Sequence, residues 1–264
     1  MFNGRMKQAV TALVATLGAV ALVPAVASAQ DVQVGTTTTP LVSPICPADA
    51  QGNACRIVLT QVTAYETMRD GVVSPDTIKQ SGMISSFTLG LTGTTTITPA
   101  DITYLDKTYG GPPEAQLTVL RPTGTAANPA FRVAAQSPVF KVRTELGQVA
   151  EFPLVAPLPV VRGEVLALTI PTWVPVLSFE LDATKFSYAQ SRADQTISSG
   201  SSCNSSATAN LAQIMLGELS NYSCTFPGTR VEYSALEVTT PAGFSSSVRR
   251  HRAVKHKTTV KHRR

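Results

Sequence analysis

Between Cys55 and Thr240 the apolar residues recur at every second position, in short runs that Gly, Pro, Asn and Asp interrupt. "RIVLTQVTAY" (56–65) sets Ile57, Leu59, Gln61 and Thr63 against Val58, Thr60, Val62 and Ala64. The alternation returns in "GMISSFTLGL", "AQLTVLRP", "AFRVAAQSPVFKVR", "VAEFPLV", "EVLALTI", "VLSFELDATKFSY" and "RVEYSALEV". A repeat of two sends neighbouring side chains to opposite faces of a strand, whereas a helix needs a repeat near 3.6. The pattern predicts an all-β chain of antiparallel strands, numerous enough for two packed sheets in a jelly-roll-like β-sandwich. Eighteen prolines oppose long helices and favour turns and edge strands. One stretch, "SSATANLAQIMLGELS" (205–220), reads either as a short helix with Leu211, Ile214, Met215 and Leu219 on one face, or as a strand.

The ends of the chain differ from this middle. Arg5 and Lys7 precede an apolar run from Ala9 to Val26, and the small residues Ala27, Ser28 and Ala29 stand before Gln30. That order is the order of a secretory signal peptide, 1–29, and it predicts an exported protein, secreted or held at the cell surface. The run contains Pro24, and no later stretch approaches the length of a membrane span, so no transmembrane segment is expected in the mature protein. Residues 30–54 are a Thr/Pro-rich lead-in, 55–240 the folded domain, and 241–264 a basic tail.

Charge is divided unevenly. Residues 30–248 carry twelve Lys/Arg against seventeen Asp/Glu, a net charge of −5. The tail adds eight cations and no acid: Arg249, Arg250, Arg252, Lys255, Lys257, Lys261, Arg263 and Arg264. With only Ala253, Val254 and Val260 as aliphatics it cannot bury a core and is expected to be disordered in isolation. In an exported protein such a block seeks anionic polymers of the wall or matrix, without preference for a specific nucleic acid sequence. His251, His256 and His262 should tighten that attachment as pH falls through about 6.5.

Those three are the only histidines, which empties the domain of imidazole. Ser-His-Asp and Cys-His nucleophilic sites and His-rich metal sites are thereby excluded, and Gly-rich phosphate loops are absent. No cofactor is expected. Glu180 and Asp182, two apart in an expected strand, would share a face at the separation of a retaining glycosidase. They resemble the start of the ExDxxE signature of laminarinase-like enzymes, but Lys185 stands where the acid belongs and Thr184 fills the shorter form. Asp70 with Asp76, or Asp101 with Asp106, lack the dense spacing of a calcium loop and read as turn residues. Trp173, the lone tryptophan, lies between Pro171 and Pro175. It is either a cap on the core or, with Tyr188, Tyr104 or Tyr109, a candidate platform for a sugar ring.

Cys46, Cys55, Cys203 and Cys224 form an even set, which in an exported chain points to disulfides. The short closures Cys46 with Cys55 and Cys203 with Cys224 are favoured by loop entropy, with pairing between the two regions left open. The runs "VVSPDTIKQSGMISSFTLG", "AQLTVLRPTG", "VVRGEVLALTIPTWVPVL", "YSCTF" and "RVEYSALEV" together resemble a group of uncharacterised exported β-sandwich proteins of high-GC soil bacteria. The resemblance implies a jelly-roll-like sandwich and no established activity. Some members of that group carry an Asp-rich extension where this chain has its basic tail. The function expected is that of a non-enzymatic surface or matrix module, binding or structural. The alternatives are a carbohydrate-binding module and a carboxylate-based glycan hydrolase or lyase. Non-reducing digestion of the mature protein should release one peptide pair joining Cys46 to Cys55 and another joining Cys203 to Cys224; a Cys46 to Cys224 pair would refute the short closures.

Overall fold

The structure, a computed structural model, describes residues 28–46, 55, 57–93, 96–193 and 210–241. In chain order its elements are β1 (Asp31–Val34), β2 (Leu59–Arg69), β3 (Val72–Val73), β4 (Gly82–Gly90), α1 (Pro99–Tyr109), β5 (Glu114–Pro122), β6 (Ala130–Gln136), β7 (Phe140–Lys141) and β8 (Val149–Val160). They continue with β9 (Val165–Val174), β10 (Leu177–Ser178), β11 (Ser187–Arg192), β12 (Leu219–Pro227), β13 (Arg230–Val231) and β14 (Tyr233–Thr239). Every strand pairing is antiparallel, as the period-two pattern requires.

Six strands close on themselves in the order β11-β12-β6-β5-β9-β2 and back to β11. A second sheet, β1-β14-β4-β8, lies against the outer faces of β2, β5 and β9. The fold is therefore all-β with antiparallel sheets, as expected, and six of its strands close into a barrel beside the four-stranded sheet. The sequence of β9 shows how one strand serves both sides. Leu166, Leu168 and Ile170 join the core shared with the second sheet, while Val165 and Ala167 belong to a separate cluster inside the barrel. Both faces are buried, so the strand reads as an almost continuous apolar run.

Local chemistry sets the turns and the irregularities. Asp70 and Gly71 both have positive φ, 52° and 77°, and join β2 to β3 through a two-residue hairpin of the Asp-Gly kind. Gln61, at φ 48°, is the bulged residue where the β2 register shifts against β9. The shift lets Leu59 and Val62 both reach the shared core. Helix α1 interrupts the run of strands. Its start is a capping box, with Thr98 and Asp101 exchanging hydrogen bonds and Pro99 in the first turn, and Gly110 ends it at φ 88°. Conversely, 211–218 is neither helix nor strand: it is an irregular loop, and β12 begins only at Leu219.

The lead-in expected over 30–54 contributes a strand of the fold. β1 pairs with β14, so Val32 stands opposite Glu237 and the first strand lies beside the last. Cys46 and Cys55 form a disulfide beside Trp173, Ile97 and Leu105. Cys224 is disulfide-bonded as well, and Cys203 lies outside the described residues. Residues 1–27 of the expected signal peptide and 242–264 of the tail also lie outside them. Among the described residues no helix is long and apolar enough to cross a membrane.

One polar cluster is sealed between the layers. Arg69 donates to the carbonyls of Tyr233 and Val231 at 3.1 and 2.9 Å, and the Glu66 N–H donates to Asp76 at 2.8 Å. Tyr233 Oη donates to Asp76 Oδ2, and Val231 N–H to Glu66 Oε1. Arg230 pairs with Glu232 at 3.3 Å and donates to the carbonyls of Pro40 and Thr39, holding the lead-in down. Glu66, Asp76 and Glu232 share this cluster with the cations Arg69 and Arg230, and all five are buried. Three carboxyls against two guanidiniums favour retention of a proton, and burial pushes the Glu66 carboxyl well above its usual range. A raised folded pKa stabilises the fold below the unfolded value near 4.3 and loses that contribution as pH rises through the folded value. Urea unfolding of the wild type and Glu66→Gln should show the wild type losing ground as pH rises above about 4.5, by up to ~1.4 kcal/mol per pH unit. Parallel stability curves would refute this assignment.

Candidate functional site

A six-stranded barrel is narrow, so small side chains must fill much of its interior. At mid-height Thr63, Thr169 and Thr118 form a hydroxyl chain across three strands, at 2.8 and 2.6 Å. One end is plugged. The loop before β12 drives Gln213 into the barrel, where its N–H donates to Thr63 Oγ1 at 3.0 Å and its Nε2 donates to the carbonyls of Phe131 and Glu218 at 3.2 and 2.9 Å. Tyr222 Oη donates to Gln213 Oε1, and Gln136 Nε2 donates to the Gln213 carbonyl at 2.6 Å.

The opposite end opens into a cavity of about 570 Å³. Its floor is an aromatic cluster: Tyr65, Phe131 and Tyr222, with ring centroids 5.1 to 5.5 Å apart and mutually tilted. Its walls carry the hydroxyls of Thr67, Ser74, Thr77, Thr125, Ser223 and Thr225. None of the lining residues is an acid, a base or a thiol, and its only ionisable groups are the two tyrosines, whose phenols burial pushes above their usual range. The size falls within the 300–1,000 Å³ common for small-molecule sites. Ser223 is 5% exposed and its Oγ has no hydrogen-bond partner among the described residues. An unpaired buried hydroxyl costs free energy. β-bulge geometry explains how it arises: between Gln190 and Arg192 the β11 register shifts against β12, turning Tyr222, Ser223 and Thr225 toward the same cavity.

A smaller cleft of about 160 Å³ adjoins the mouth, because Thr77 lines both. Lys79, Gln80, Glu237 and Thr239 line its far side. Glu237 is 1% exposed, its Oε1 lacks a hydrogen bond among the described residues, and burial raises its pKa. The chain leaves the described fold at Pro241 on this same end: Thr240 N–H donates to the Ser81 carbonyl at 2.8 Å, and Arg162, next to the mouth residue Gly163, donates its N–H to Ser81 Oγ at 3.1 Å.

The candidate residues read from the sequence lie elsewhere. Trp173 is fully buried, and its Nε1 donates to Asp106 Oδ1 and the Gly111 carbonyl at 3.0 and 3.1 Å, so it caps the core beside α1 and offers no face to a sugar. Tyr188 is buried and stacked on Phe226. Glu180 and Asp182 sit in an exposed turn between β10 and β11 instead of on a strand. Hydrogen bonds from the Thr184 hydroxyl and N–H hold the Asp182 carboxylate below its usual range. Asp70 accepts from Thr37 and Thr39, Asp76 belongs to the buried cluster, Asp101 caps α1 and Asp106 pairs with Arg143. Among the described residues no three metal-binding side chains converge. No motif marks the mouth, since hydroxyl and small apolar residues are common everywhere in a β protein. No family model, curated protein or solved structure matches the chain.

The plug carries the barrel. Gln213→Ala strips partners from Tyr222 Oη and the Phe131 carbonyl, and should lower unfolding free energy by roughly 3 kcal/mol. A loss under about 1 kcal/mol in urea would show that the loop merely rests on the barrel.

Proposed function

We propose that this chain is an exported, non-enzymatic binding module that takes a small uncharged ligand at the open end of its barrel. The observation that carries this reading is an open cavity of about 570 Å³ with an aromatic floor and hydroxyl-bearing residues in its walls, free of acids and bases among its lining residues. Such a lining supplies apolar contact and hydrogen bonds to an uncharged molecule and offers no group of the kind that moves protons near neutral pH. The basic tail is the second half of the reading. Rooted beside the mouth, it would tether the module to anionic polymers of the wall or matrix, where the mouth meets its ligand.

The two halves separate by salt. Retention of the mature protein on cell-wall material should have a salt-sensitive part, lost on truncation after Ser247, and a part that survives about 1 M salt, where charge attraction is screened. Thr225→Trp fills the mouth from an exposed strand position and should abolish the salt-resistant part while leaving the melting temperature within a few degrees. Equal salt-resistant retention by wild type and Thr225→Trp would remove the mouth from the function; equal low-salt retention after truncation would remove the tail.

A further inference from the structure

We infer that the mouth takes a small, largely apolar aromatic molecule carrying one hydrogen-bond-accepting oxygen, such as an aryl ketone, and that the Tyr65 hydroxyl donates to that oxygen. This rests on the mouth being a ligand site and names the chemistry it selects. Tyr65 lines the mouth and is 8% exposed. Its Oη has no hydrogen-bond partner among the described residues and, unlike Ser223 Oγ, is not sealed from solvent. Burial, together with Asp76, keeps this phenol neutral and therefore a donor. The other hydroxyls of the mouth are engaged, sealed or at the rim. Tyr222 Oη donates to Gln213, Thr67 Oγ1 donates to the Ser187 carbonyl at 3.0 Å, Thr225 is exposed, and Ser74 and Thr77 are half-buried. A sugar ring would bring several hydroxyls down to the floor, where Tyr65 could meet one of them, and each hydroxyl left unpaired there costs free energy. An aromatic ring carries no such cost. Tyr65, Phe131 and Tyr222 lie 5.1 to 5.5 Å apart at interplanar angles of 55° to 84°, a spacing and tilt that offer a further ring both edges and faces. Val73, Pro122, Pro129 and Val165 add apolar wall, and Val73 is 67% exposed although it lines the mouth.

Equilibrium dialysis of the mature protein should show 2-acetylnaphthalene binding about fivefold more tightly than 2-ethylnaphthalene, which matches its shape but lacks the oxygen. Glucose and cellobiose should bind more weakly than the ketone by about tenfold or more. Tyr65→Phe should shrink the ratio of ketone to hydrocarbon affinity to about twofold or less, and because it removes an unpaired hydroxyl its melting temperature should stay level or rise. Thr225→Trp, which fills the mouth, should abolish ketone binding. A ketone that does not bind, or binds no more tightly than the hydrocarbon or the sugars, would overturn the ligand class. A ratio unchanged in folded Tyr65→Phe would overturn the part given to Tyr65, and ketone binding that survives in Thr225→Trp would place it outside the mouth and overturn both. Should Tyr65→Phe fail to fold, the wild-type ratio and the Thr225→Trp result carry the test. The mouth as a site is judged separately, by the salt-resistant retention lost or kept in Thr225→Trp.

Discussion

Strand β2 makes two sets of hydrogen bonds, one to β9 and one to β11, and that double pairing closes the barrel. Closure removes two sheet edges and narrows the interior. Everything in the candidate site follows from the narrowness. Most large aliphatic side chains go outward to the core shared with the second sheet, and the inside holds hydroxyls, amides, three aromatic rings and the aliphatics Leu120, Val133 and Val165. Buried hydroxyls need partners, and the Thr63, Thr169 and Thr118 chain and the Gln213 plug provide them at one end. At the other end the rings form the floor of the mouth.

The second layer is fastened to the first by more than apolar contact. The Arg69, Glu66 and Asp76 group reaches from β2 to the backbone of β13 and β14, while Arg230 and Glu232 hold residues 39–42 of the lead-in. Isolated buried ions are costly, and removing one partner from such a cluster leaves an uncompensated charge. Backbone fit adds to this. Gly35 adopts φ +79° with Asp76 Oδ1 2.7 Å from where a Cβ would stand, so the lead-in can enter the cluster only where no side chain is present. The result is that a segment resembling a loose linker in composition is tied to the centre of the fold.

Much of this was legible. Alternation in "EVLALTI" and "RVEYSALEV" marks β9 and β14 directly, and the spacing of Cys46 and Cys55 pointed to the disulfide that the structure contains. The signals of α1 were also present, as Thr98, Pro99, Asp101 and Gly110 surround an eleven-residue segment, but strand-rich surroundings outweighed them. The loop at 211–218 misled for a definite reason: its apolar letters suit a helix face, whereas Ile214, Met215 and Leu216 are exposed and the anchoring residue is the polar Gln213. Trp173 between two prolines read as either a core cap or a platform, and its burial beside Ile97 and Leu105 decides for the cap.

What the sequence determined by itself was periodic or compositional: antiparallel strands, the exclusion of imidazole chemistry from the domain, the short disulfide, and the separation of a basic tail from an acidic body. These follow from local geometry and from counting, and no distant contact is needed to read them. Only the tertiary structure decided that one layer closes, since closure depends on β2 meeting β11 more than a hundred residues away. The mouth depends on that meeting too. Its floor joins Tyr65, Phe131 and Tyr222 from three distant strands, and no spacing along the chain encodes a contact made only when a barrel shuts.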